Sequence, residues 1–173
     1  MRVISGIYKG LNLKGFMIEG TRPTMARVKE SMFAMITDKL KNSIVLDLFA
    51  GSGALGIEAL SMGAKHCTFL DKNKIAYNTI KENTKKMDNV TVIQNDYIKF
   101  LKETSNKFDV ILLDPPYNAN YIQKAITLIK ERDLLNDGGI IVCEYEKEKF
   151  ISPYELWKEK KYSDKYVSIY KNN

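Results

Sequence analysis

Asp114-Pro115-Pro116-Tyr117 gathers, in four consecutive positions of a 173-residue chain, the residue types best suited to chemistry on a base. Two prolines behind an apolar run impose an extended, stiff loop. A simple turn needs neither the carboxylate before them nor the aromatic after. An amine on a nucleobase is a weak nucleophile because its lone pair is delocalised into the ring. A carboxylate and a backbone carbonyl that accept its two N–H bonds would favour pyramidalisation and aim the lone pair at an incoming methyl group. Tyr117 would stack the base. Such a displacement needs in-line placement more than acid or base help, so positioning is the main catalytic contribution. Asp114, Pro115, Pro116 and Tyr117 are therefore the catalytic candidates.

A second set of residues suits a cationic methyl donor. Gly51-x-Gly53-x-x-Gly56 has the spacing of a dinucleotide fingerprint, and glycines there let backbone approach a ligand at a helix N-terminus. Alone the spacing also fits a tight strand-to-helix turn. The acids distinguish the ligands. Asp47, Asp71, Asp96 and Asp114 each follow or end an apolar run, so an α/β sheet would collect them on one edge. Crowded carboxylates oppose one another's ionisation. The phosphates of a dinucleotide would be repelled there. S-adenosylmethionine, with a sulfonium, an ammonium, a ribose diol and an adenine amine, would not. Asp47 is expected near the ammonium, Asp71 at the ribose hydroxyls and Asp96 at the adenine amine. Phe49, Ala50, Gly51, Ser52, Gly53, Lys72, Asn95 and Tyr97 complete the expected cofactor-binding set. Helix capping by Asp71 and Asp96 is the competing reading.

Positioning these residues requires alternating strands and helices. Val28, Met32, Met35, Ile36 and Leu40 recur at helical spacing behind Pro23 and a candidate N-cap, Thr24. Ile44–Phe49 is a continuous apolar run of the kind found in buried parallel strands. Helices are expected from Ala54 to near Gly63, over 73–87, from Tyr97 to Glu103 and from Ala119 to Glu131. Strands are expected at Cys67–Asp71, Val90–Ile93, Phe108–Leu113 and Gly139–Glu144. The alternating tail, Lys160–Tyr170, reads as an antiparallel edge pair, with Trp157 and the nearby tyrosines packing against it. His66 opens the second strand. This order predicts an α/β, Rossmann-like fold with a mostly parallel sheet. Ligands in such folds bind beyond the carboxyl ends of the strands. Val3-Ile4 and Leu11-Asn12-Leu13 read as a short ribbon. Residues 1–41, ribbon plus helix, are expected to pack on a catalytic domain of residues 42–173.

The net charge is +6, and it is concentrated at the ends. Arg2, Arg22 and Arg27 lie in a stretch with a single acid, Glu19, which suggests a polyanion partner. Arg22 and Arg27 would sit near a helix N-terminus, where the dipole disfavours cations, so phosphate binding is the natural reading. Cys67 and Cys143 lie in apolar runs and read as buried thiols of a reducing compartment. One histidine and no C-x-x-C argue against a metal site. Apolar runs are far shorter than the roughly 20 residues needed to span a bilayer, and no signal-peptide core is present. The expected location is the cytoplasm.

Four blocks carry a family resemblance. They are Arg2-Val3-Ile4-Ser5-Gly6 with Tyr8-Lys9-Gly10; Thr21-Arg22-Pro23-Thr24 with Arg27-Val28; Asp47 through Ala59; and Asp114-Pro115-Pro116-Tyr117. In order and content they resemble the bacterial RsmD family, from Arg2 through the fifth strand. The resemblance implies a class I S-adenosylmethionine-dependent methyltransferase fold with an antiparallel strand near its C-terminus. It implies methyl transfer to the N2 amine of a guanine in small-subunit ribosomal RNA, with ribosomal RNA or the small subunit as partner. It also implies that the N-terminal segment helps hold the RNA. The family often has Thr-Asp where this chain has Met25-Ala26, and Arg in place of Lys29. Read without the resemblance, Asp-Pro-Pro-Tyr also permits an adenine or cytosine amine in DNA, although 173 residues leave little room for a sequence-reading domain. The glycine spacing alone permits a nicotinamide oxidoreductase. The basic ends alone permit a non-catalytic RNA-binding module.

Overall fold

The computed structural model describes residues 1–15, 26–117 and 120–173. The elements run α1 (Ala26–Leu40), β1 (Ile44–Asp47), α2 (Ala54–Ser61), β2 (His66–Asp71), α3 (Lys74–Asn83), β3 (Val90–Gln94), α4 (Tyr97–Glu103), β4 (Phe108–Leu113), α5 (Tyr121–Glu131), β5 (Leu135–Tyr145), β6 (Glu155–Tyr162) and β7 (Lys165–Lys171). The strands form one seven-stranded sheet in the order β3-β2-β1-β4-β5-β7-β6. β1 to β5 are parallel, and β7 pairs antiparallel with both β5 and β6. This is the mostly parallel α/β sheet expected from the alternation.

The inner parallel strands β1, β2 and β4 are buried because helices cover both faces of the sheet, whereas the edge strand β3 is only partly covered. Val28, Met32, Phe33 and Ile36 of α1 join α2 and Ile80 of α3 in one core. Phe100 and Leu101 of α4 and Ile122, Ala125, Ile126 and Ile129 of α5 fill the other. The spacing of the α5 residues gives one apolar stripe, so a single helix face meets the sheet. Gly56 shows how closely helix and sheet pack. A Cβ there would stand 2.3 Å from the Phe69 ring, so only glycine fits.

The tail departs from a simple edge pair. β6 starts at Glu155, earlier than the alternation begins, and β7 inserts between β5 and β6. Trp157, Tyr162 and Tyr170 pack against the cores, as the edge-packing reading expected. The N-terminal ribbon is also reduced. It keeps one antiparallel bridge, Arg2 to Asn12, flanked by backbone bonds from Val3 N to Leu11 O, Gly10 N to Val3 O and Leu13 N to Met1 O. The reason is that its polar groups turn to α2. Glu58 accepts the N–H groups of Ile4 and Ser5, and Ser61 Oγ accepts that of Tyr8 and donates to the Ser5 carbonyl. Lys29 pairs with Glu58 at 3.1 Å and donates to the Arg2 carbonyl. Thr24 and the start of the helix expected from Ala119 lie outside the described residues.

Candidate active site

The order of the sheet reverses between β1 and β4, which run side by side at its centre. The carboxyl ends of β3, β2, β1 and β4 form one rim. Asp47 and Asp71 end β1 and β2, Asn95 and Asp96 follow β3, and Asp114 follows β4. The four acids thus lie along one edge, on adjacent strands. Loops beyond such a reversal are free to separate, which opens a crevice for a ligand.

Asp47 is 1% exposed. Its Oδ2 accepts the Gly56 N–H at 2.9 Å, so the residue ties the end of β1 to the first turn of α2. Its Oδ1 is buried with no hydrogen-bond partner among the described residues. Burial pushes its carboxyl up to about 7, the Gly56 N–H opposes that rise, and the nearby Asp71 charge adds to it. A buried carboxylate oxygen without a donor is costly, and a cationic ligand group would remove the cost.

Asp71 holds the glycine loop. Its Oδ2 accepts from Gly51 N and its Oδ1 from Asn73 N, both at 2.9 Å. Asn73, not Asp71, caps α3. Asp96 does cap α4, through Oδ1 to Ile98 N and Lys99 N. The capping reading therefore applies to Asp96 and not to Asp71. Of the remaining cofactor candidates, Ala50 donates its N–H to Leu70 O, Gly53 donates to Ala50 O, and Ser52 O accepts from Asn83 Nδ2. Lys72 is exposed after β2, and its carbonyl accepts from Gln94. Asn95 Oδ1 accepts the Asp96 N–H. Phe49 and Tyr97 stand 5.0 Å apart, and Tyr121 closes a three-ring cluster with both at 5.7 and 5.5 Å. Burial pushes the Tyr97 hydroxyl up to about 12, with Asp96 adding to the shift.

On the acceptor side Asp114 is half-buried, Pro115 buried, Pro116 exposed and Tyr117 half-buried. The β4–β5 register pairs Leu113 with Cys143 and brings Asp114 beside Glu144. Glu144 and Lys165 form a buried ion pair at 2.9 Å, and the Lys165 ammonium stands 5.4 Å from the centre of the Tyr117 ring. The sequence reading missed Glu144, Lys165 and Tyr121. Glu144 could have been found as the acid at the end of the fifth strand. Arg2 is exposed, with its Nε on Asn12 Oδ1, and Arg27 is exposed in the first turn of α1. Arg22 lies outside the described residues.

A family model described as conserved hypothetical protein 95 matches residues 1–171. The ribosomal RNA small subunit methyltransferase D of Haemophilus influenzae is 39% identical over 163 residues, covering 91% of this chain and 84% of its own. The chain belongs to the RsmD family. A solved structure described as putative methyltransferase yhhF from Escherichia coli superposes with a TM-score of 0.92 at 28% identity, covering 100% of this chain and 98% of that one. An RNA methyltransferase from Salinibacter ruber, solved with S-adenosyl-L-homocysteine, shares the fold at a TM-score of 0.68 and 18% identity, covering 87% and 93%. This RsmD-family chain thus has the class I methyltransferase architecture that the resemblance implied.

Proposed function

We propose that this RsmD-family protein transfers a methyl group from S-adenosylmethionine to the exocyclic N2 amine of a guanine in small-subunit ribosomal RNA. The observation that carries the reading is the acid-lined rim, above all Asp47 Oδ1, which has no hydrogen-bond partner among the described residues. A cationic donor fits that rim and an anionic dinucleotide does not. Family membership narrows the acceptor to ribosomal RNA.

S-adenosylmethionine supplies an electrophilic methyl when bound. Asp47 would receive its ammonium, Asp71 its ribose hydroxyls and Asp96 its adenine amine. Phe49, Ala50, Gly51, Ser52, Gly53, Lys72, Asn95 and Tyr97 would shape the pocket. Asp71 can serve while it holds the loop, because each carboxylate oxygen has a second acceptor site. Asp114 would accept one amine N–H and orient the nitrogen lone pair. Pro115 and Pro116 stiffen the loop so that this geometry is preset. Tyr117 would stack the guanine. Arg2, Arg22 and Arg27 would contact phosphates, with residues 1–41 acting as an RNA-facing addition to a catalytic domain of residues 42–173. Ribosomal RNA or the small ribosomal subunit is the partner in this reading, and the cytoplasm is where the two would meet.

The test uses Asp114→Ala. Labelled methyl transfer to ribosomal RNA should fall at least about a hundredfold, with S-adenosylmethionine affinity unchanged. Normal transfer by the variant would remove Asp114 from its role.

A further inference from the structure

Glu144 ends the buried stretch of β5, and Lys165 opens β7 after a turn that passes through Ser163 at φ 54°. Their side chains are 1% and 7% exposed. An ion pair this deep is a poor source of stability, because desolvation offsets the attraction. Its placement calls for a different account, and the third partner supplies one. The Lys165 ammonium lies against Tyr117, 5.4 Å from its ring centre, and interacts with its hydroxyl. Burial disfavours the charge on Lys165, but the hydrogen bonds to Tyr117 and Glu144 outweigh it and hold its pKa above the ordinary lysine value. Contact at the hydroxyl grips the ring by its polar end.

Tyr117 ends the stiff Asp-Pro-Pro segment, where a free side chain would sample several rotamers. Fixing it before the acceptor arrives lowers the ordering cost of binding. The two antiparallel strands then have a purpose besides closing the sheet. The turn between β6 and β7 carries Lys165 to the acceptor end of the rim.

We propose that Lys165, held in place by Glu144, is a positioning residue that presets the Tyr117 ring for the acceptor base. This rests on the reading of Tyr117 as the stacking ring.

The test is a mutant cycle on methyl transfer to small-subunit ribosomal RNA prepared from cells lacking this protein. Tyr117→Phe keeps the ring and removes the tether. Lys165→Met combined with Glu144→Gln removes the tether without leaving a lone buried charge, and Lys165→Arg retains it. Donor affinity and melting temperature report whether each variant is folded. The tether predicts that Tyr117→Phe and the Lys165/Glu144 variant each lower kcat/KM for RNA by about tenfold, with donor affinity intact. Combining all three changes should lose no more than that tenfold, because both routes remove one interaction. Lys165→Arg should recover most of the rate. Losses that multiply to about a hundredfold would overturn the tether. So would a wild-type rate in the Lys165/Glu144 variant. Tyr117→Ala separates the two levels of the account. If it is impaired while Tyr117→Phe is normal, the tether alone fails. If Tyr117→Ala is itself normal, the stacking role fails as well.

Discussion

Replacing Asp47 with Asn should make the protein more stable at alkaline pH while weakening its hold on the methyl donor. Asp47 is wholly buried, and its carboxyl sits near 7 rather than at the usual 3.8. Its folded pKa is raised, so its contribution to stability is fully present below the unfolded value. That contribution is lost as pH rises toward and through 7. A rise of about 3 units corresponds to about 4 kcal/mol lost between acid and alkaline pH. Asparagine keeps an acceptor for the Gly56 N–H and carries no charge. Its amide N–H would occupy the place of Oδ1 without a partner, a cost of about 1–3 kcal/mol that protonated aspartic acid partly shares. The two proteins should therefore be close in stability near pH 4, with Asp47→Asn ahead by about 2–4 kcal/mol near pH 9. Urea denaturation of both proteins across that range isolates the effect, because the other titrating groups are common to them. S-adenosylmethionine titrated by calorimetry should bind the variant at least about tenfold more weakly. A stability difference independent of pH, or a variant less stable than wild type at pH 9, would refute the account of Asp47.

Three further outcomes follow from the packing and the charges. Gly56→Ala places a Cβ against the Phe69 ring and 2.8 Å from Cys67 Sγ, so urea denaturation should show a loss of about 1–3 kcal/mol. Glu58→Gln leaves Lys29 buried without its counter-charge and loosens Ile4 and Ser5. A loss of about 3–5 kcal/mol is expected, with faster tryptic cleavage at Lys9. Arg27→Ala should weaken RNA binding uniformly across sequences and reduce the slope of log affinity against log salt by about 1, and an unchanged slope would remove Arg27 from the phosphate contacts.

Much of this architecture was legible in the chain because burial on both faces leaves an unmistakable pattern. Apart from Asp47 and Asp109, Ile44–Phe49 and Phe108–Leu113 are apolar without alternation, and both hold central strands. Each acid was placed by one rule, that residues ending parallel strands share a rim. What the chain hid was set by contacts between distant segments. Lys165 looks like one more lysine in a basic tail, and only the β5–β7 register brings it to Glu144. Lys29 and Glu58 follow the ordinary pattern of charges on helices, yet both are buried. Their pairing depends on how α1 crosses α2. The ribbon at 2–13 was read from its apolar patches, but Glu58 and Ser61 compete for its backbone groups. The place of β7 between β5 and β6 could not be read either, because alternation does not say which neighbour a strand will choose.

The account stands or falls on which atom is methylated. Ribosomal RNA from cells lacking this protein should be mapped by mass spectrometry beside RNA from the parent strain. One small-subunit guanine should have lost an N2-methyl group, and the purified protein with S-adenosylmethionine should restore it. An identical methylation map in both strains, or a missing methyl on another atom or base, would contradict the proposed chemistry.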